Sequence, residues 1–208
     1  MGITDMWGTI EAERRALAEE LSGLGPDQWA TPSLCTGWTV RDVLAHMTGT
    51  AKITPASFFP KLLASGLSFN RLQAKDIAAE KGGSPADTLA NFKGVVASRK
   101  HPPGPGDTML GETVIHAQDI RGPLGIGHDY PAEAVVQVAD FYKNSNLIVG
   151  TKRRIDGLTL RATDTEWTHG DGPEVSGPII TLVMAMTGRK LPTGALAGDG
   201  AATLRARP

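Results

Sequence analysis

One segment constrains the fold more than any other. GDTMLGETVIHAQDIRG carries apolar residues on several sides of a helix (Leu110, Val114, Ile115, Ala117 and Ile120), the pattern of a helix buried nearly all round. Yet Glu112, His116 and Asp119 follow one another at spacings of four and three. At ~100° per residue these three side chains fall within roughly 60° of one another along one face. Ionisable groups on a buried face are costly unless they pair or coordinate a cation. An i, i+4 Glu/His pair brings a carboxylate oxygen and an imidazole nitrogen close enough to share one metal ion. The competing reading of the same pair is an ordinary side-chain contact on a helix.

The residues around this segment read as further helices. Met6, Ile10, Leu17, Leu21 and Leu24 form an amphipathic stripe that Gly25-Pro26 ends. Thr39, with Asp42 three residues on, is a capping-box start for a helix whose apolar face is Val40, Val43, Leu44, Met47 and Ala51. The stretch from Pro55 to Glu80 reads as short, broken helices, because Pro60 and Gly66 interrupt it. Ser84-Pro85 opens a helix carrying Leu89, Phe92, Val95 and Val96. The segment with Glu112 is expected to start at Asp107 or Thr108 and to stop at Gly122-Pro123. Tyr130-Pro131 opens one more helix, with Val135, Val138 and Tyr142 on one face.

After Gly150 the pattern changes. Leu158, Leu160 and Ala162 alternate with polar residues, as in a strand that Trp167 continues after a turn. Gly170-Asp171-Gly172-Pro173 is a turn, and Ser176 with Pro178 starts a short apolar helix that ends at Gly188. Ala202-Thr203-Leu204 reads as a last strand, and Lys152-Arg153-Arg154 as a solvated linker. The fold class is therefore mainly α: a helical bundle over residues 1–150, then a small α/β domain over residues 151–208.

Composition excludes several functions. With 21 basic and 22 acidic residues, the chain lacks the basic excess of a nucleic-acid binder or a polybasic membrane anchor. Its single cysteine, Cys35, rules out an internal disulfide framework or a multi-cysteine zinc ribbon. The start of the chain has no basic-then-apolar leader, Met6 stands where a myristoylation motif needs Ser or Thr, and no apolar run approaches a membrane span. These features set the expectation of a soluble, cytoplasmic protein.

A metal site needs more than two ligands, and the helix VRDVLAHM offers His46 at the edge of the Val43/Met47 stripe. Antiparallel packing would bring it opposite Glu112 and His116. Three protein ligands with one open position is the catalytic zinc pattern. The alternative for His46 is a hydrogen-bonded core histidine. Cys35 has no accompanying catalytic signature and reads as a buried thiol. His101, His128 and His169 stand in loop-like contexts and read as surface residues, and Trp38 as an anchor for the helix after it. There is no HExxH, and GPLGIG does not fit a phosphate loop.

TPSLCTGWTVRDVLAHM and GETVIHAQDIRGPLG resemble the two signatures of the mycothiol-dependent maleylpyruvate isomerase family, within the DinB/YfiT-like superfamily. TDTEWTHGDGPEVSGPIITLVMAMTGR and the GDGAATL ending are similar to that family's tail. The resemblance implies a DinB-like four-helix bundle holding one divalent metal, usually zinc, with His46, Glu112 and His116 at the family's ligand positions. It implies mycothiol as the thiol cosubstrate and a small electrophilic or unsaturated molecule as substrate. In the family a small C-terminal domain contributes arginine; here Arg189 is the candidate to face an anionic substrate, its other reading being a cap on the preceding helix.

An open metal position suits a thiol, because coordination deprotonates it and the thiolate is the nucleophile. In an isomerase the thiolate adds to a conjugated double bond, allows rotation and leaves; in an S-transferase it stays attached. Asp119 is the candidate to move the proton, or else to hold a ligand in place. Two other classes remain open: hydrolysis by a metal-bound water of lowered pKa, and a DinB-like metal- or ligand-binding protein without turnover.

Overall fold

The computed structural model describes residues 5–147 and 149–208. Residues 1–4, part of the stretch read above as lacking a leader, lie outside it. The chain is helical up to its last quarter: α1 Met6–Glu20, α2 Pro26–Trp29, α3 Val40–Thr50, α4 Pro55–Ala64, α5 Phe69–Lys81, α6 Pro85–Lys93, α7 Asp107–Leu124, α8 Ala132–Lys143 and α9 Thr151–Ile155. Then follow β1 Thr159–Ala162, β2 Thr168–His169, β3 Glu174–Gly177, α10 Ile179–Met186 and α11 Ala201–Ala206. Among the described residues no helix is long and apolar enough to cross a membrane. Two compact units emerge, Asp5–Asp129 and one that begins at Tyr130 and includes the rest of the tail. The second unit starts ahead of the pattern change at Gly150, because α8 packs against α10.

In the first unit α1, α7, α3 and α6 pack in a closed ring, each against the next, which is a four-helix bundle. Its centre holds Leu17, Val43, Leu44, Met47, Phe92, Ala117 and Ile120, all fully buried. The expected capping box forms: Asp42 N donates to Thr39 Oγ1 at 3.2 Å and Thr39 N to Asp42 Oδ2 at 2.9 Å, and at α6 the expected N-cap Ser84 pairs with Asp87 in a second box. Each box satisfies donors that a helix start leaves unpaired. The Pro55–Glu80 stretch forms two helices. α4 buries no residue, whereas α5 lies along α3 and α6. Lys81 Nζ, 2.7 Å from Asp42 Oδ1, ties α5 to the start of α3.

α7 runs past its expected stop. Pro123 lies inside its last turn, and the helix ends at Gly125, whose φ of +67° is the left-handed cap geometry that favours glycine. Proline has no N–H to give the carbonyl four residues back, which is that of Asp119. That carbonyl instead accepts Leu34 N at 3.2 Å. The proline therefore frees an acceptor that docks the Pro32–Trp38 loop onto α7. Beyond the cap the chain turns back, so His128 is half-buried, not a surface residue: its Nε2 is 2.8 Å from Glu13 Oε2 and its Nδ1 3.1 Å from Glu20 Oε1. Buried Arg121 reaches the same Glu20 through Nε at 2.7 Å and Nη2 at 3.1 Å. His101 and His169 are half-buried too, against Trp7 and Trp167.

In the second unit the strand order is β2-β1-β3, with β1 antiparallel to β2 and parallel to β3. Leu160 and Ala162 are buried, as their alternation predicts, and Leu160 sits opposite Val175. β3 went unpredicted because EVSG has one apolar residue in four. Residues 201–206 form a helix, not a strand: Ala201 and Leu204, three apart, are its buried face. Lys152–Arg154 is part of α9, not a solvated linker, since Arg154 donates to the carbonyls of Val149 (2.8 Å) and Met186 (2.9 Å).

Candidate metal centre

His46 on α3 and Glu112 and His116 on α7 come together across the bundle. One ligand atom from each lies within 4.8 Å of the other two. The separation fits donors around a single ion, since two ligands at ~2.1 Å in a tetrahedral shell are ~3.4 Å apart and small side-chain shifts cover the rest. The two imidazoles meet edge to face, with ring centroids 4.9 Å apart at 81°. α3 aims His46 inward because Val43 and Met47, on the neighbouring stripe, are fully buried.

Glu112 supplies the test of fit. Both of its carboxylate oxygens are buried and neither has a hydrogen-bond partner. Burial pushes its carboxyl up from the usual range, opposed by the charges of His116 and Arg14. A buried carboxylate without donors, facing two imidazoles, is the arrangement that a cation would complete. This donor set of two nitrogens and one oxygen suits zinc and neighbouring divalent metals.

Asp119 lies on the Nδ1 side of His116. It is fully buried. Its Oδ2 lies 2.9 Å from His116 Nδ1 and accepts the Cys35 thiol at 3.1 Å. Burial pulls the His116 pKa down, but Asp119 and Cys35 outweigh it, and the net effect raises it to about 10. With Nδ1 donating to Asp119, Nε2 is the nitrogen left for an ion, the usual carboxylate–histidine–metal relay. Asp119→Asn is expected to weaken metal binding about 10- to 100-fold while leaving the helical circular-dichroism spectrum intact. Metal titration against a chromophoric chelator measures it, and an unchanged affinity would remove Asp119 from the site.

Two residues the sequence reading set aside belong to this site. Cys35, on the docked loop, is 3.7 Å from His116 Nδ1. Cys35, His116 and Asp119 thus form a second group of metal-ligand type that shares His116 with the first. Trp38 packs its ring 4.9 Å from that of His46 and 6.4 Å from that of His116, forming a wall over both imidazoles besides preceding α3. Both lie within TPSLCTGWT, so the motif marked them, but nothing in their spacing shows that the loop folds back onto α7. Arg189 belongs to the second unit, where Nη1 donates to Thr187 O at 3.2 Å at the end of α10, the helix-capping role. It also lines a small cavity, about 110 Å³, with Arg154, Lys190 and Arg207.

Comparison with known proteins agrees with this architecture. No curated protein matches the chain. Two solved structures match with a TM-score of 0.64 at 17% identity, covering 94% of this chain and 92% of theirs. One is the mycothiol-dependent maleylpyruvate isomerase and the other a histidine-to-alanine mutant of it. Residues 10–101 match the family model of the mycothiol maleylpyruvate isomerase N-terminal domain. That segment is therefore similar to the mycothiol maleylpyruvate isomerase N-terminal domain, and the chain has the fold of the mycothiol-dependent isomerase.

Proposed function

We propose that this protein is a divalent-metal-dependent enzyme of the maleylpyruvate isomerase type, which uses mycothiol to isomerise an unsaturated acid or to form a thioether with a small electrophile. The observation that carries this reading is the convergence of His46, Glu112 and His116 around a carboxylate with no other partner. A divalent cation there, zinc in the first instance, would lower the pKa of a thiol offered at its remaining position.

The chain's own residues supply the rest. His46 and His116 present imidazole nitrogens from two helices, so the bundle fixes their separation. Asp119 orients His116 and, being fully buried, is assigned a positioning role and not a proton-transfer one. Trp38 packs beside the imidazole pair. Arg189, with Arg154, Lys190 and Arg207 around the cavity of its own unit, is the candidate contact for an anionic group.

Metal analysis of the purified protein, followed by assays with and without mycothiol, tests the reading. One equivalent of metal and thiol-dependent loss of an unsaturated acid or electrophile is the expected result. Thiol-independent cleavage would favour hydrolysis by bound water. Bound metal with neither activity would favour a non-catalytic binding protein, and no bound metal would end the proposal.

A further inference from the structure

Arg14, on α1, is completely buried. Its Nη1 donates to Ser98 O at 3.0 Å, and Ser98 Oγ in turn donates to Ala51 O at 2.6 Å, at the end of α3. The guanidinium is thus pinned at one corner by a strut that reaches the helix bearing His46. Nε and Nη2, the edge that matches a carboxylate with two parallel donors, are buried with no partner. α1 packs against α7, which carries an ionisable side chain in the same state, Glu112, whose two oxygens also lack partners. Each charge alone would be a heavy burden on the bundle. Burial works against the charged form of both groups, and the charge of each opposes that effect on the other.

We propose that Arg14 is a positioning residue for the candidate metal centre: its fixed, buried guanidinium is the countercharge that keeps the Glu112 carboxylate in the core and turned toward His46 and His116. Arginine suits this task because burial does not readily neutralise it, as it would a lysine. The inference rests on the metal-centre reading for its purpose, and the metal-free part of its test does not.

The test is a double-mutant cycle on the metal-free protein, read by chemical denaturation. Arg14→Met is expected to lower the folding equilibrium constant by about 100-fold or more when Glu112 is present, and by less than about 10-fold in the Glu112→Gln background. Leu17→Ala, a core truncation on the same helix, is the control and should cost the same in both backgrounds. Should Arg14→Met fail to fold, the Arg14→Met/Glu112→Gln pair must fold; failure of both overturns the proposal, as does an equal cost in both backgrounds. The second readout is the visible spectrum of the cobalt-loaded protein. It should shift in Arg14→Lys and stay unmoved in Leu17→Ala, and an unmoved spectrum in Arg14→Lys would overturn the positioning role. Metal binding by Glu112→Gln alone separates the two ideas: full affinity there defeats the metal centre, while the metal-free cycle still decides the coupling.

Discussion

His116→Ala is expected to abolish stoichiometric metal in the purified protein and to reduce thiol-dependent turnover to background. The apparent binding free energy of a four-ligand zinc site is about 10–16 kcal/mol. Shared among four donors, that is about 3 kcal/mol each, or roughly 100- to 1000-fold in affinity per ligand lost. His116 should fall at the upper end, because its loss also strands the Asp119 carboxylate that its Nδ1 now engages at 2.9 Å. α7 is held by Leu110, Val114, Ala117 and Ile120, all fully buried, so its helicity should survive the substitution. The measurements are elemental analysis and circular dichroism on one preparation. One tight equivalent of metal in a well-folded variant would remove His116 from the site.

Metal affinity should also rise steeply with pH. In the metal-free protein Asp119 and Cys35, against the pull of burial, hold the His116 pKa at about 10. Near neutrality its ring is therefore protonated, and a cation must displace that proton, so affinity gains up to about tenfold per pH unit. Between about pH 6 and 8 this amounts to roughly 100-fold. The folding linkage has the matching sign. A histidine raised in the folded state contributes stability in full below its unfolded value of 6.5, and that stability is lost as pH rises toward about 10. Glu112, also raised, contributes stability that is complete below its ordinary 4.5 and is lost at higher pH. Melting curves with chelator and with added zinc should thus diverge as pH rises. A metal-induced increment that is flat with pH would contradict the His116 assignment.

The parts of this fold and site that were legible in the sequence are those set by local rules. Thr39 with Asp42 and Ser84 with Pro85 announced two helix starts, because a capping box or an N-cap followed by proline needs only residues close in sequence. The spacing of Glu112 and His116 put both on one face of α7 for the same reason. What escaped depends on long-range contacts. Pro123 marks a helix stop by local rules, yet Leu34 N satisfies the carbonyl it frees, so α7 continues. That same contact brings Cys35 and Trp38 to the imidazoles. His128 and Arg154 stand in segments that read as surface, and each is drawn inward by partners more than thirty residues away. Arg14 gave no signal: an arginine inside an amphipathic stripe looks like a solvated residue until its neighbours are known.

X-ray absorption at the zinc edge of the metal-loaded protein tests the central claim most directly. The account predicts a first shell of nitrogen and oxygen donors at ~2.0–2.2 Å with no sulfur, and one sulfur at ~2.3 Å after mycothiol is added. Sulfur present before the thiol is added would place the ion on Cys35 instead, and a shell unchanged by the thiol would contradict a vacancy for sulfur at this site.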